Sequence, residues 1–392
     1  MPFAARPASL ARLQAGLNYI LIVWLRLRFG NLSLESIVRC GNLRALKKMF
    51  LMLVALGFAL CAGSADAALV NGRNYVALAD WARANGLNAV WSKRGAEVIV
   101  TNRTTRLVFD VDSAQAEING VNVRLSFAVA NVKGAPFIAQ LDVDKTIRPL
   151  LFPARYLDPQ TITTICLDPG HGGKDSGNRV GGRFFGNSEK TYTLALALEL
   201  RDQLKRAGFN VILTRSKDVY PELPARPALA NRAGADLFVS LHFNAAQSGK
   251  NEVDGPETYC ITPVGASSSN AQGEGGGSGA TTANRCENKS LLFAYQMQKA
   301  LVQYLRADDR GVRRARFAVL RDAAMPAILI EGGYMTHPAE SKKIFDPAYR
   351  KQMAAAIVRG IINYQKLSAP PSPPPRTNPA GTSKAPGGKG GK

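Results

Sequence analysis

Histidine is scarce in this sequence: 392 residues contain three, His171, His242 and His337. Cysteine is almost as rare, with five residues and no two spaced C-x-x-C. That excludes a disulfide-stapled miniprotein and a zinc finger or ribbon, so any metal site has to be built from imidazole and carboxylate. Acidic residues are also short, 29 Asp+Glu against 50 Lys+Arg, for a formal charge of +21. A basic balance suits nucleic acid, an anionic membrane or an anionic polymer outside the cell. No RRM signature, finger or basic region running into heptads is found, and no nucleic-acid partner is expected. The apolar run Phe50 to Leu60 is too short to span a bilayer as a mature helix. What remains is ordinary: 46% hydrophobic and 20% charged residues exclude wholesale disorder, collagen and a coiled-coil rod, and the length suggests two or three domains.

The chain divides by composition. Residues 1–67 form an N-terminal extension and signal peptide. Arg44, Lys47 and Lys48 precede the apolar run, and small residues ending Ala65-Asp66-Ala67 follow it, the order of a secretory signal. Export is therefore expected, to the periplasm or cell envelope, with membrane contact only through that signal. Its distance from residue 1 suggests translation beginning near Leu46-Lys47-Lys48, which Arg-rich peptides from residues 1–40 in the precursor would refute. From 68 to 159, short alternating stretches such as Glu97 to Val100 and Thr105 to Phe109 are divided by Asn-Gly turns. Asn71-Gly72 and Asn119-Gly120 are strong hairpin signals, because both central positions of a type I′ turn need positive φ. With one short helix over Leu78 to Gly86, this predicts a small α+β module.

From 160 to 367 the pattern turns to strands alternating with helices. Ile162 to Leu167, Val211 to Thr214, Asp236 to Leu241 and Ala327 to Glu331 read as strands, and Glu189 to Ala207 as a helix. Alternation of this kind predicts an α/β domain with a mainly parallel twisted sheet and helices on both faces, whose ligands bind at the carboxyl ends of the strands. Residues 247–290 are rich in Gly and Ser and are expected to form a flexible insert. Cys260 and Cys286 flank it; a bridge closing that loop would add about 3 kcal/mol, and two separate thiols are the equal alternative. The Pro/Gly/Lys tail, 368–392, cannot bury enough surface to fold.

His171 and His242 each stand at the end of a strand, His171 within Asp168-Pro169-Gly170-His171-Gly172-Gly173. A catalytic zinc takes three protein ligands and keeps one position open, and two His with one carboxylate is a common set. Glu189, in the first turn of its helix, and Glu331, after Ile328-Leu329-Ile330, are the carboxylate candidates. One can complete the metal shell while the other acts as acid and base toward water and the leaving nitrogen. Gly173-Lys174 lacks the flanking residues of a phosphate loop.

With Glu189-Lys190, Thr214-Arg215, Ala235 to Ala245 and Ile330-Glu331-Gly332-Gly333-Tyr334, these motifs resemble the zinc-dependent N-acetylmuramoyl-L-alanine amidases (amidase type 3 family) over about Ile162 to Tyr364. The resemblance implies Zn2+ held by His171, Glu189 and His242, with Glu331 as catalytic base and acid. It also implies hydrolysis of the amide between N-acetylmuramic acid and L-alanine in peptidoglycan, with an activator protein as a further partner in some relatives. His337 stands where the family usually has Asn and is expected to be a neighbour of the site, not a ligand. Some relatives carry a self-blocking helix near the insert; its Gly/Ser composition predicts none here. The module at 68–159 resembles the copper amine oxidase N-terminal-like domain, with a wall-binding or spacer role; it contains no His and no Cys, hence no metal set. The rival reading is a catalytically silent peptidoglycan-binding protein of the same fold. All four chemical positions are present, and a binder has no need of Glu331.

Overall fold

The structure, a computed structural model, describes residues 67–181, 187–249, 252–269 and 279–369. The segment through Asp66, where a signal peptide is expected, the glycine-rich stretch 270–278 and the tail from Pro370 lie outside the described residues.

The first half is built of hairpins. β1 (Ala67–Val70) and β2 (Arg73–Ala77) are followed by α1 (Leu78–Ala84), then by the meander β3 (Asn88–Lys93), β4 (Glu97–Thr101), β5 (Arg106–Asp110), β6 (Gln115–Ile118) and β7 (Val121–Arg124). β8 (Ala130–Val132) and β9 (Ala135–Ala139) complete a four-stranded sheet ordered β1-β2-β9-β8. Both Asn-Gly pairs make the expected turns: Asn71 and Gly72 have φ of 49° and 74°, Asn119 and Gly120 of 48° and 78°, joining β1 to β2 and β6 to β7.

After a helical run with a π-helical middle turn at Val143–Ile147, the second half alternates. It comprises β10 (Thr164–Pro169), the short pair β11 (Arg179–Val180) and β12 (Asn187–Ser188), α2 (Glu189–Arg206), β13 (Asn210–Leu213), α3 (Ala225–Arg232) and β14 (Leu237–Asn244). β15 (Glu257–Cys260), α4 (Glu287–Leu305), β16 (Val312–Arg314), α5 (Ala318–Arg321), β17 (Ala327–Tyr334), α6 (Pro338–Phe345) and α7 (Pro347–Ser368) follow.

One sheet runs through both halves, in the order β13-β10-β14-β17-β15-β16-β7-β6-β5-β4-β3. β13, β10, β14 and β17 are parallel, but β15 pairs antiparallel with β17 and the meander is antiparallel throughout. The sheet is therefore mixed, where the sequence predicted a mainly parallel one. Parallel neighbours need a crossover helix; the link from β14 to β15 contains none among the described residues, so the chain turns back on the same edge. Helices do cover both faces, as strand alternation dictates. Ile165, Leu167, Val239, Leu241, Ile328 and Ile330 share one core with α2, α4 and α7. Cys166, Phe238 and Leu329 point to the opposite side, against α3 and α5.

The segment 247–290 also differs from expectation. Glu257–Cys260 is a fully buried strand, and α4 begins at Glu287 after a turn at Thr282–Cys286. The run Thr258 to Thr262 is rich in β-branched and aromatic residues suited to a buried strand, and only its surroundings are glycine-rich. Cys260 and Cys286 are both free thiols. Their sulfurs face different carbonyls, Cys260 that of Arg313 at 3.7 Å and Cys286 that of Ala324 at 3.5 Å, so no bridge closes this loop.

Candidate metal centre and active site

The site begins where β10 ends. His171 adopts φ +62°, a left-handed conformation that costs an L-residue roughly 1–2 kcal/mol. Two arginines hold the loop in it. Arg226 donates to the carbonyls of Pro169 and His171, both at 3.0 Å, and Arg215 to those of Pro169 at 3.0 Å and Gly170 at 2.8 Å. Arg226 is itself fixed by a fully buried ion pair with Asp168 at 2.9 Å, whose carboxylate also accepts from Thr214 and Ser240. A buried pair needs this kind of saturation to offset desolvation.

Glu189, the first residue of α2, is buried beneath both imidazoles. Its Oε2 lies 3.1 Å from His171 Nε2 and its Oε1 3.0 Å from His242 Nδ1. The backbone amides of Phe243 and Asn178 donate to the same carboxylate at 3.0 and 2.9 Å, as does the Asn178 side chain. Burial alone would raise the Glu189 pKa, but hydrogen bonds from His171 and His242 outweigh it and hold the group well below the ordinary carboxylate range. For His171, burial works downward and is outweighed by Glu189 and Asp175, so its pKa rises. The other ring nitrogen, Nδ1, meets Asp175 Oδ2 at 2.8 Å, and Asp175 is steadied by the Gly177 amide.

Two glycines admit this packing. A Cβ on Gly170 would lie 2.3 Å from His242 Cε1, and one on Gly177, at φ +61°, 2.6 Å from both His171 Cδ2 and Glu189 Oε2. The ligand atoms of His171, Glu189 and His242 fall within 4.8 Å of one another, a set that can hold a metal ion. Glu331 stands one strand away, in register with His242 across the β14–β17 ladder. Its Oε2 is buried without a hydrogen-bond partner among the described residues. Burial first, then the charges of Glu189 and Glu257, push its pKa well above the usual value. The four residues open onto one cavity of about 350 Å³, walled on the far side by Leu223, Phe317 and Val319.

The four side chains singled out in the sequence thus meet in one place. His337 does not join them: it caps α6, its Nδ1 accepting from the Glu340 amide at 3.4 Å. Asp175, Asn178 and Arg226 were not legible as site residues. Asp175 had a signal, lying four residues after His171, whereas Arg226 lies 55 residues from the carbonyl it holds and carries none.

A profile of the family described as N-acetylmuramoyl-L-alanine amidase matches residues 165–363, half of the chain. The chain belongs to the N-acetylmuramoyl-L-alanine amidase family. A second profile, described as copper amine oxidase N-terminal domain, matches residues 62–147. Among relatives of the amidase half, an uncharacterised Bacillus subtilis protein, YqiI, is 35% identical, covering 54% of this chain and 89% of the relative. The amidase AmiC of Neisseria meningitidis is 34% identical over 52% of this chain and 53% of its own length, and AmiA of Escherichia coli 30% identical over 51% and 75%. Among solved structures, an N-acetylmuramoyl-L-alanine amidase from Clostridium difficile 630 matches at 33% identity and a TM-score of 0.43, covering 53% of this chain and 98% of that one.

Proposed function

We propose that the chain is an exported zinc amidase that cuts the amide between the lactyl group of N-acetylmuramic acid and L-alanine in peptidoglycan. The observation that carries this reading is the His171–Glu189–His242 cluster with an unpartnered carboxylate, Glu331, one strand across. Two imidazole nitrogens and one carboxylate oxygen suit zinc and leave a coordination position open. Asp175 on the second nitrogen of His171 is the kind of carboxylate that orients a metal-bound histidine. When bound, zinc supplies Lewis acidity toward water and the scissile carbonyl.

The chain's own residues supply the rest. Glu331 takes the proton of the attacking water at its carboxylate and delivers it to the departing nitrogen of L-alanine; a carboxylate with a raised pKa is suited to both directions of transfer. Asn178 and the Phe243 amide keep Glu189 aimed into the cluster. Leu223, Phe317 and Val319 give the cavity an apolar lining opposite in character to the four polar groups. For the module at 68–159 we propose docking on the wall polymer, and an activator protein remains a proposed partner.

The test compares the chain from Ala68 with its Glu331→Gln variant on purified peptidoglycan, with zinc quantified in both. The expected result is intact stem peptides released by the first. The variant should hold equal zinc and be about 10²–10⁴-fold slower, the usual contribution of a positioned acid–base group. Absence of zinc, or cleavage within the stem, would overturn the assignment. Cleavage only after adding envelope extract would establish the activator.

A further inference from the structure

The sheet carries the site one strand further than the catalytic set. Across the ladders, His242 on β14 opposes Glu331 on β17, and Glu331 opposes Glu257 on β15. Side chains directly opposite in adjacent strands share a face, so the row is continuous. Glu257 is 2% exposed, and its Oε1 is taken by the Asn244 amide at 2.8 Å and the Tyr259 hydroxyl at 2.9 Å. Its Oε2 faces two cations, Arg313 Nε at 2.7 Å and Arg310 Nε at 3.5 Å.

Glu257 offsets one of the two guanidinium charges, and the next carboxylate in the row is Glu331. The contacts are also poorly aligned: Glu257 Oε2, Arg310 Nε and Arg313 Nε are buried without a hydrogen bond of good geometry among the described residues. Yet the two side chains are not sealed, at 29% and 19% exposed. Arg310 lies over the Tyr334 ring, 5.2 Å from its centroid, which fixes its plane. Topology places Arg310 at the working edge, with Arg313 one pleat further in, opposite Tyr259. β15 runs opposite to β17 and β16 runs with β15, so the start of β16, where Arg310 stands, lies at the same edge as the carboxyl end of β17. No Lys or Arg lines the cavity at Glu331.

We infer that Arg310 and Arg313, pinned by Glu257, form an anion subsite that takes a free carboxylate of the stem peptide beyond the L-alanine being released. Planar guanidinium groups are the side chains best matched to a carboxylate. Two strand spacings separate β17 from β16, about 10 Å, and an extended peptide advances about 3.5 Å per residue. The second or third stem residue therefore falls over the pair. The inference rests on the amidase reading for the direction of the stem, and it makes this enzyme selective for stems whose second residue is a free acid over those where it is amidated.

The experiment measures, by calorimetry on the zinc-loaded protein, the affinity of a synthetic stem peptide with a free α-carboxylate on its second residue and of its amidated twin. The wild type should prefer the free acid about tenfold, and Arg310→Gln/Arg313→Gln should bind the two alike. Because the double variant strands Glu257, Arg310→Gln alone is measured beside it, with an expected preference of about threefold. Equal binding of both peptides by the wild type overturns the subsite. So does a preference that survives in the folded variants, which would put the carboxylate on the metal. Release of stem peptides from peptidoglycan is scored separately: a carboxylate preference that vanishes in the variants, together with no cleavage by the wild type even with envelope extract added, leaves the subsite standing and removes the amidase reading.

Discussion

At the scale of single residues, the site is built by what surrounds the four chemical side chains. Asp175 holds one nitrogen of His171 and so decides which nitrogen is turned inward. Asp175→Asn keeps the shape but removes the anionic acceptor. It should weaken zinc binding about 10–100-fold, as losses of outer-shell partners do, and competition with a chelator measures this directly. Gly170→Ala tests geometry instead of charge. Its Cβ would meet His242 Cε1 at 2.3 Å, so the imidazole must leave its position. The expected outcome is loss of zinc with the far-UV spectrum retained; an alanine variant that still binds zinc as tightly as the wild type would show that His242 is free to move.

At the scale of elements, pairing between strand ends depends on a few polar ties. Asp236, before β14, accepts from the amides of Thr163 and Thr164, the Thr163 hydroxyl and the Gln160 side chain, joining the start of β10 to that of β14. Burial would raise its pKa, but these hydrogen bonds outweigh it and lower it. A folded-state pKa below the unfolded value, about 3.9 for Asp, gives stability that is full above that value and lost as pH falls through the folded one. Acid titration should therefore show stability falling below about pH 4, and an Asp236→Asn variant should be flatter there. Asp236→Ala should cost about 1–3 kcal/mol in denaturant unfolding, the penalty of leaving polar partners unpaired. The helices α4 and α7 meet just as closely at another point: a Cβ on Gly360 would lie 2.8 Å from Met297 Sδ. Gly360→Leu should destabilise by about 1–3 kcal/mol through overpacking, visible as a lower Tm.

The same scale explains what the sequence made legible. The Asn-Gly hairpins and α2 were readable because their determinants are local: positive φ at two adjacent residues, and apolar spacing along one stretch. The grouping of His171, Glu189 and His242 was readable because three His in the whole chain left few alternatives. β15 was hidden, because its burial depends on β16 and β17, which arrive more than fifty residues later, and because glycine surrounds it. The direction of β15 and the role of Arg226 share that cause: both are set by partners distant in sequence, and neither leaves a periodicity to detect.

At the scale of the molecule, the two halves matched by separate family profiles are not joined by a linker alone. β7 pairs with β16 at Val123 and Val312. Asp309 accepts from the Asn122 backbone amide at 2.7 Å, its carbonyl from the Asn122 side chain at 2.8 Å, and the Tyr295 hydroxyl donates to the Ile118 carbonyl at 2.8 Å. One hydrophobic core includes Val98, Leu107 and Phe109 of the first half with Phe293, Leu301 and Ile357 of the second. Such a chain should unfold as one cooperative body. Trp81 and Trp91, the two tryptophans after residue 67, report on the first half, and release of bound zinc reports on the second. The two thermal transitions should coincide, and separated midpoints would refute the single body. A chain beginning at Thr161 should melt several degrees lower than one beginning at Ala68, since it exposes the β16 edge and the apolar surface beneath the meander.

For the exported enzyme proposed above, shared unfolding becomes shared lifetime. The hairpin tips of the first half, at Asn71-Gly72 and Asn119-Gly120, are exposed turns, the places where proteases cut most readily. Because the β7–β16 seam ties the Asn119-Gly120 hairpin to the sheet that carries Glu331 and His242, a nick there, far from the cavity, removes support from the catalytic half as well. A wall protease would then set the working life of the enzyme without approaching its active site.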